Sequence, residues 1–313
     1  MTSPRVVDFF CGAGGFSCGL RKAGFDIAAG VDVDKASLQT FHKNFPTSTA
    51  ICADLARDPL PPSLLSYLRG LRPDVVVGGP PCQGFSVANN SRDTRKYSKL
   101  NDLTIQFTKT AISLEPSVVV MEEVPAFRRS PNYPKVIKTF QDAGYFVTSK
   151  VLNASDYQTP QSRKRNILIA NKTKPIPLPE PHRGEKLSAG AALRTLPLGP
   201  PVNPDVVEKI KQRAKQTGVA PNKFPNSYKA MDPTRPSLTI TRNFANAAGG
   251  AFTIFAKGAY HKLSVEQAQA LQGFPSSFEF VGMATEKRNQ VGNAVPPPLA
   301  FAVGKQILKY TSS

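Results

Sequence analysis

Short apolar runs and amphipathic stretches alternate along the first half of the chain. Arg5 to Phe10, Phe25 to Val33 and Asp74 to Val77 have the length and apolar content of buried strands. Phe16 to Ala23 and Ser63 to Leu71 have apolar residues at helical spacing. Strands separated by helices predict βαβ units, and therefore a mostly parallel sheet with helices on both faces.

The same alternation continues to about residue 170. Ser117 to Met121, Tyr145 to Leu152 and Asn166 to Ala170 predict further strands. Asp102 to Leu114 and Tyr133 to Ala143 predict the helices among them. This pattern assigns the chain to the α/β class, in which ligands bind at the carboxyl ends of the strands.

Capping residues and prolines mark other boundaries. Asp34 is placed to cap a helix that runs to about Asn44, and Ser264 begins a helix with capping-box character. Proline is dense from Lys174 to Pro204, and no regular element tolerates that density. We therefore divide the chain into residues 1–170, a small loop-rich unit at 171–232, and a return segment at 233–313.

Basic residues strongly outnumber acidic ones. The chain of 313 residues has 40 Lys plus Arg against 22 Asp plus Glu, a formal net charge of +18. Such an excess concentrates polyanions at the protein surface, and nucleic acid is the polyanion that it favours. A solvated basic face is the alternative. Val206 to Thr217, a predicted short helix, carries part of this charge.

Membrane and metal signals are missing from the sequence. No apolar run approaches the roughly 20 residues that a membrane helix needs, and the N-terminus does not resemble a signal peptide. Cys11, Cys18, Cys52 and Cys82 match no zinc-binding spacing. We expect no membrane association and no metal. We also expect a cytoplasmic, nucleoid-associated protein, or a nuclear one if the source is eukaryotic.

Glycines follow the first predicted strand, in Asp8-Phe-Phe-Cys-Gly-Ala-Gly-Gly-Phe16. At a strand-to-helix turn, glycines let the backbone approach a ligand closely. Asp32 ends the second strand about 20 residues later, where an acidic side chain commonly binds a ribose hydroxyl pair. Asp54 follows another short strand. Together these residues predict a nucleoside-containing cofactor, although a tight structural turn has the same glycine pattern.

A cysteine lies in the loop Gly78-Gly-Pro-Pro-Cys82-Gln-Gly-Phe-Ser86, which follows a predicted buried strand. Cys82 is therefore expected at the carboxyl edge of the sheet, in a loop that prolines stiffen. A free thiol has a pKa near ~8.5, and a basic environment favours the reactive thiolate. We interpret Cys82 as a nucleophile rather than as a buried cysteine in a kinked loop.

Charged groups lie next to two further strands. In Met121-Glu-Glu-Val-Pro125, Glu122 and Glu123 point to opposite faces of an extended strand, so that only one faces the cleft. In Gln161-Ser-Arg-Lys-Arg165, Arg163 and Arg165 alternate onto the same side. Beside a cysteine and a carboxylate, this basic cluster predicts substrate binding rather than a solvated face.

These blocks, in this order and spacing, resemble the cytosine-C5 DNA methyltransferase family of bacterial restriction-modification systems. The matching blocks are Asp8 to Phe16, Pro80 to Gln83, Glu122 to Val124, Gln161 to Arg165, Arg235 to Thr241, Leu263 to Pro275 and Gly292 to Val295. The resemblance implies a Rossmann-like, S-adenosylmethionine-dependent methyltransferase fold. Its catalytic and cofactor-binding domain would be 1–170, completed by 233–313, with 171–232 as a small target recognition domain.

The resemblance also implies a reaction, in which a cytosine is flipped out of a specific duplex DNA sequence and methylated at C5. Cys82 would bond to C6, and Glu122 would hydrogen-bond to N3 or protonate it. Arg165 would hold O2, and Arg163 would orient the catalytic loop or the base.

Two further groups of residues follow from the resemblance. The implied S-adenosylmethionine contacts are Phe10, Gly12, Gly14, Asp32 at the ribose, Val33 at the adenine ring, Asp54 at the adenine amino group, Leu55, Asn293 and Val295. The implied DNA contacts are Gln83, Ser86, Arg92, Arg95, Lys96 and Lys99. Basic residues within 171–232, Lys211 and Lys215 among them, would contact phosphates.

One position departs from the family pattern, because Glu123 stands where the family usually has Asn. A catalytically silent DNA-binding relative is therefore one alternative, and an RNA cytosine-C5 methyltransferase is another. An adenine-N6 methyltransferase would have an aromatic residue after Pro-Pro, where this chain has Cys82. We expect a monomer that acts on double-stranded DNA, as an orphan methylase or beside a separate cognate restriction endonuclease.

Overall fold

A seven-stranded sheet forms the centre of the molecule. The computed structural model describes residues 3–57, 60–81, 103–218, 229–245 and 252–311. The strands of the main sheet are β1 Arg5–Phe9, β2 Asp26–Asp32, β3 Thr49–Cys52, β4 Val75–Gly78, β5 Val118–Glu123, β6 Phe146–Asn153 and β7 Lys164–Asn171. Their spatial order is β3-β2-β1-β4-β5-β7-β6.

Strand direction agrees with the α/β prediction over most of this sheet. β1 to β5 are parallel to one another, so the predicted mostly parallel sheet is confirmed. β7 runs antiparallel to both β5 and β6, which the sequence pattern does not predict. The start of β7 therefore lies at the same edge as the carboxyl end of β5.

Helices cover both faces of the sheet. In the described ranges they are α1 Gly15–Ala23, α2 Lys35–Asn44, α3 Pro62–Gly70, α4 Leu103–Ser113, α5 Asn132–Asp142, α6 Ala189–Leu193, α7 Pro204–Thr217, α8 Val265–Gln272, α9 Ala284–Asn293 and α10 Pro297–Thr311. Short 3-10 turns at Pro125–Arg129 and Ala154–Tyr157 follow β5 and β6. None of the described helices is both long and apolar enough to cross a bilayer.

Alternate side chains of each central strand enter two separate cores. Val118 and Val120 of β5 pack with residues of α1 and α10, whereas Val119 and Met121 pack with residues of α3, α4 and α5. A strand that is buried on both faces has no polar side. This explains why the central strands are continuous apolar runs in the sequence.

Helix ends agree with their sequence signals. Asp34 accepts a hydrogen bond from the backbone N–H of Ala36 at 3.1 Å, at the start of α2. Ser264 and Gln267 form a capping box at the start of α8. Both caps satisfy N–H groups that have no partner within the first helical turn.

The last helix of the chain packs directly on the first. A Cβ added at Gly19 of α1 would overlap the carbonyl oxygen of Pro297 and lie 2.5 Å from the Cβ of Ala300 in α10. The two helices therefore touch through their backbones, which a larger residue than glycine would prevent. This contact brings the C-terminal segment back to the glycine-rich loop.

A small second sheet contains β8 Lys229–Ala230, β9 Phe252–Ala256 and β10 Ala259–Lys262. β8 is parallel and β10 antiparallel to β9. These strands are not among those predicted from the sequence, since each has only two to five residues. The sheet pairs a strand from the predicted 171–232 unit with strands from the return segment, and the division at these boundaries remains a prediction.

Candidate active site

The glycine-rich loop connects β1 to α1 at the carboxyl edge of the sheet. Phe10, Gly12 and Gly14 have φ angles of +55°, +52° and +95°. A Cβ at Gly14 would lie 2.5 Å from Cε2 of Phe45, so no larger residue fits there. A Cβ at Gly12 would have nothing within 4 Å, which leaves this part of the backbone open to a ligand.

Asp32 links the loop to the end of β2. Its Oδ2 accepts a hydrogen bond from the N–H of Gly12 at 2.8 Å, and its Oδ1 accepts one from the N–H of Asp34 at 2.9 Å. Burial raises the pKa of the Asp32 carboxyl group, while its backbone hydrogen bonds oppose the shift. A carboxylate has about four acceptor positions, so Asp32 can also accept from the hydroxyl groups of a ligand.

Asp8 lies buried behind this loop. The hydroxyl group of Ser17 in α1 donates a hydrogen bond of 2.6 Å to its Oδ2. Burial raises the pKa of Asp8 to about 7, the Ser17 hydrogen bond opposes the shift, and the charge of Asp32 adds to it. The loop therefore rests on a carboxyl group that titrates near neutral pH.

Three further predicted cofactor residues follow the ends of β2 and β3. Val33 is 63% exposed, unlike a core valine. Asp54 is exposed, and its Oδ1 accepts a hydrogen bond from the N–H of Ala56 at 2.9 Å. Leu55 differs from both, because its side chain is buried in the hydrophobic core.

The C-terminal motif reaches this loop at the start of α1. A Cβ at Gly15 would overlap the carbonyl oxygen of Val295 and lie 3.1 Å from the Cβ of Ala294. Asn293 is the last residue of α9 and is exposed. The structure thus brings together two motifs from opposite ends of the chain.

Glu122 and Arg165 form an ion pair across β5 and β7. Nε of Arg165 lies 2.8 Å from Oε1 of Glu122. The Glu122 side chain is only 12% exposed and the Arg165 side chain only 14%. Arg165 also donates from Nη1 to the carbonyl oxygen of Lys164 at 2.7 Å. A Cβ at Gly79 would lie 3.3 Å from the other carboxylate oxygen, so the segment after β4 runs beside Glu122.

The surroundings of Arg163 are different. Its side chain is 3% exposed, and its Nη1 donates to the carbonyl oxygen of Ile240 at 2.8 Å. Arg165 therefore meets the carboxylate of Glu122, whereas Arg163 binds the return segment. Glu123 is buried on the other side of β5 from Glu122, and its Oε2 accepts a hydrogen bond from the N–H of Val124 at 3.0 Å.

The predicted nucleophile and the predicted DNA contacts fall in a part of the chain that the structure does not describe. Cys82, Gln83, Ser86, Arg92, Arg95, Lys96 and Lys99 all lie outside the described residues. Pro81 precedes Cys82 and follows β4 at the carboxyl edge. Among the cysteines that the structure describes, Cys11 and Cys18 are buried and Cys52 is exposed. Within the described ranges, no cluster of three or more His, Cys, Asp or Glu residues could hold a metal ion.

A family model described as C-5 cytosine-specific DNA methylase matches residues 4–309. The chain belongs to this family. The resemblance inferred from the motifs is therefore confirmed, and the chain is a DNA cytosine-C5 methyltransferase by its family.

Curated relatives agree with this methylase assignment. The chain is 30% identical to the Type II methyltransferase M1.HphI of Haemophilus parahaemolyticus, over 99% of this chain and 88% of that protein. It is also 30% identical to the Type II methyltransferase M.HindV of Haemophilus influenzae, over 98% of this chain and 97% of that protein. These matches extend across both predicted segment boundaries.

Solved structures show the same methylase fold. The Dnmt2 methyltransferase of S. pombe has a TM-score of 0.76 at 16% identity, covering 99% of this chain and 100% of that chain. The methyltransferase EhMeth of Entamoeba histolytica has a TM-score of 0.73 at 16% identity, covering 99% of each chain. At such identities the likeness concerns the fold, and the predicted Rossmann-like methyltransferase fold is confirmed.

Two glutamines of the methylase site were not singled out from the sequence as site residues. Gln161 and Gln272 are fully buried, and Nε2 of Gln161 donates to Oε1 of Gln272 at 2.8 Å. Gln161 stands in the arginine motif, and Gln272 ends α8 between apolar neighbours. The signal in the sequence is the position of Gln272 between Leu271 and Phe274, both of which are buried. A polar side chain among buried apolar residues needs a buried hydrogen-bond partner.

Proposed function

We propose that this methylase transfers a methyl group from S-adenosylmethionine to C5 of a cytosine in a specific duplex DNA sequence, with Cys82 as the covalent nucleophile. The observation that carries the proposal is the shielded Glu122–Arg165 ion pair beside Gly79. Gly79 follows β4, and Cys82 comes three residues after Gly79 in the sequence. A thiol and an acid–arginine pair at one edge of a sheet suit covalent activation of a pyrimidine.

The described end of the sheet fits S-adenosylmethionine. The backbone at Gly12 is open, the Asp32 carboxylate has acceptor positions left, and the Val33 side chain is exposed. In the proposal Asp32 binds the ribose hydroxyls, Val33 covers the adenine ring, and Asp54 accepts from the adenine amino group. When bound, S-adenosylmethionine supplies an electrophilic methyl group.

The other proposed cofactor contacts have supporting roles. Phe10 and Gly14 set the course of the loop through their positive φ angles. Asn293 and Val295 close the site from the C-terminal motif, since Val295 touches Gly15. Leu55 contributes its backbone alone, because its side chain is buried in the core.

The residues of the protein activate a carbon that is otherwise a poor nucleophile. The thiolate of Cys82 bonds to C6, and the electron pair of the C5–C6 double bond becomes available at C5. Glu122 hydrogen-bonds to N3 or protonates it, which offsets the charge that develops on the ring. After methylation, loss of the C5 proton and departure of the thiolate restore the C5–C6 double bond.

The two arginines act separately in this proposal. Arg165 holds O2 of the cytosine and keeps the Glu122 carboxylate oriented through their ion pair. Arg163 is buried against Ile240, so it positions the strand that carries Arg165.

Duplex DNA as the substrate is supported by charge and by family. The formal net charge is +18, and the relatives compared above are Type II methyltransferases. Stacked neighbours cover both faces of a cytosine, so the base must flip out before a thiolate reaches C6. We propose that the exposed lysines of α7 and the predicted contacts from Gln83 to Lys99 bind this DNA, and that the enzyme serves a restriction-modification system.

Trapping on DNA that contains 5-fluorocytosine tests the covalent step. Fluorine at C5 cannot leave as the proton does, so the bond between sulfur and C6 persists. With S-adenosylmethionine and mixed-sequence duplexes, the wild type and Cys52→Ser should form an adduct that survives denaturation. Cys82→Ser should form none. Cys52 is a suitable control because it is an exposed cysteine at the end of β3.

Three other outcomes of this experiment would contradict the proposal. Methylation of DNA without any adduct on the fluorinated duplex would overturn the nucleophile assignment. An adduct on RNA and none on DNA would favour an RNA cytosine-C5 methyltransferase. DNA binding with neither methylation nor adduct would favour a catalytically silent relative.

A further inference from the structure

We infer that Gln272 is a positioning residue that holds both Arg163 and the C-terminal cofactor motif through one buried hydrogen-bond network. The inference rests on the proposed function, because it concerns the arginine and the cofactor residues assigned there. It is carried by the hydrogen bonds of Gln161, Ile240, Gln272 and Val291.

Gln161 is the centre of the network. It is fully buried, and its Nε2 donates to Oε1 of Gln272 at 2.8 Å and to the carbonyl oxygen of Leu271 at 3.3 Å. Its Oε1 accepts a hydrogen bond from the N–H of Ile240 at 2.8 Å. One side chain therefore joins the start of β7, the return segment and the end of α8.

The backbone of Ile240 is bound on both of its polar groups. Gln161 accepts from its N–H, and Nη1 of Arg163 donates to its carbonyl oxygen at 2.8 Å. Because Ile240 itself is fully buried, neither group can exchange its partner for water. The orientation of the Arg163 guanidinium is thus tied to the position that Gln161 sets for this backbone.

Gln272 extends the network toward the cofactor motif. Its Nε2 donates to the carbonyl oxygen of Val291 in α9 at 2.5 Å. The next residue, Gly292, lies so close to the backbone of Arg242 that an added Cβ would overlap its nitrogen. Beyond it, Val295 touches Gly15 at the start of α1. The amide of Gln272 therefore joins the arginine side of the site to its cofactor side.

Removal of this amide should affect both sides together. The carbonyl oxygen of Val291 would lose a buried hydrogen bond, and Gln161 would lose the acceptor for one of its N–H groups. Buried groups without partners are costly, so the segments would shift to recover hydrogen bonds. A shift at Ile240 moves Arg163, and a shift at Val291 moves the segment that reaches the glycine-rich loop.

Gln267 offers a matched control on the same helix. It is also buried, its Oε1 accepts from the N–H of Ser264, and its Nε2 donates to the carbonyl oxygen of Pro197, each at 3.0 Å. Both glutamines thus have one accepted and one donated hydrogen bond. The partners of Gln267 lie outside the network, so a purely structural effect should be similar for the two residues.

The test compares Gln272→Met with Gln267→Met in the full chain, since methionine fills similar volume without the amide. Binding of S-adenosylhomocysteine is measured by calorimetry, methyl transfer in a single turnover at saturating cofactor and DNA, and amide hydrogen exchange at residues 239–242. For Gln272→Met we expect about tenfold weaker binding and about tenfold slower transfer. Exchange at Ile240 should also be faster. Gln267→Met should change binding and transfer less than about twofold, at a comparable decrease in melting temperature.

Equal effects of the two variants on binding, transfer and exchange would overturn the inference. If Gln272→Met does not fold, Gln272→Asn shortens the side chain by one methylene, so that its amide cannot reach both Gln161 and Val291, and should show the same combined loss. A wild type that binds no S-adenosylhomocysteine would overturn the proposed function instead. In that case the exchange at Ile240 still decides whether Gln272 holds this segment.

Discussion

Arg165 approaches Glu122 with its Nε at 2.8 Å from Oε1, across the antiparallel pair of β5 and β7. Both side chains are mostly shielded from solvent, so salt screens this pair less than a surface ion pair. The contact holds the carboxylate in one orientation beside the loop that leads to Cys82.

Glu122→Gln should slow methyl transfer by about 100-fold or more, because the side chain can no longer donate a proton to N3 or carry the charge that Arg165 pairs with. Single-turnover transfer of labelled methyl groups to DNA measures the rate. The affinity for DNA should change little. Glu266→Gln removes an exposed carboxylate on α8 and should leave the rate unchanged. A Glu122→Gln rate within twofold of the wild type would contradict the role of Glu122.

Val33→Ala should weaken S-adenosylhomocysteine binding by about threefold to tenfold, because two carbon atoms would no longer cover the adenine ring. The melting temperature should stay the same, since the side chain is 63% exposed and adds little to the core. Calorimetry and thermal unfolding measure the two quantities. Met283→Ala truncates another exposed apolar residue, 71% exposed, and should alter neither. Unchanged S-adenosylhomocysteine binding by Val33→Ala would show that Val33 does not contact the cofactor.

Asp8 should make stability fall as pH rises toward neutrality. Burial raises its pKa from 3.8 to about 7, so between these values the folded state binds more protons than the unfolded state. The stabilisation from this group is complete below pH 3.8 and is lost as pH rises through about 7. The raised pKa of Asp32 acts in the same direction.

Asp8→Asn should remove this decline because an amide does not titrate. Its side-chain oxygen can still accept the Ser17 hydrogen bond. The free energy of unfolding, measured with urea from pH 5 to 8.5, should fall for the wild type relative to the variant. The relative slope should approach about 1.4 kcal/mol per pH unit below the folded pKa and vanish above it. Asp26→Asn changes an exposed carboxylate and should retain the slope of the wild type. Parallel curves for wild type and Asp8→Asn would show that Asp8 does not titrate in this range.

The lysines of α7 should contribute to DNA binding through phosphates. In the double variant Lys211→Gln/Lys215→Gln, the slope of log DNA affinity against log salt concentration should decrease in magnitude by about 2. This is roughly one for each phosphate that a lysine no longer neutralises. Fluorescence anisotropy with a labelled duplex measures the slope. Lys305→Gln with Lys309→Gln changes an equally spaced pair on α10. If the two double variants have the same slope, α7 has no special role at the DNA.

Much of the fold could be predicted because its signals are local. The apolar run that becomes β4 is followed by a proline-rich loop, and Asp34 caps α2 where the sequence places a cap. The opposite faces of Glu122 and Glu123 follow from the period of a strand. The shared edge of the glycine-rich loop, Asp32 and Glu122 follows from the rule that parallel strands end together.

Other features required contacts between distant parts of the chain. The apolar pattern of β7 does not show that it enters the sheet between β5 and β6 in the antiparallel direction. Arg163 and Arg165 have equal chemistry and alternate positions, yet one binds Ile240 and the other Glu122. Gln272 has a role only because Gln161 and Val291 lie on either side of it.

The amino-acid order alone determined most strands and helices of the main sheet, which residue types could perform the chemistry, and which family they resemble. Those properties depend on neighbours along the chain, where periodicity and capping act over a few residues. Tertiary structure alone decided that Glu122 meets Arg165 and that the C-terminal motif touches Gly15. Such pairs form when distant segments pack, because buried polar groups and close backbone contacts are satisfied by partners that no local pattern specifies.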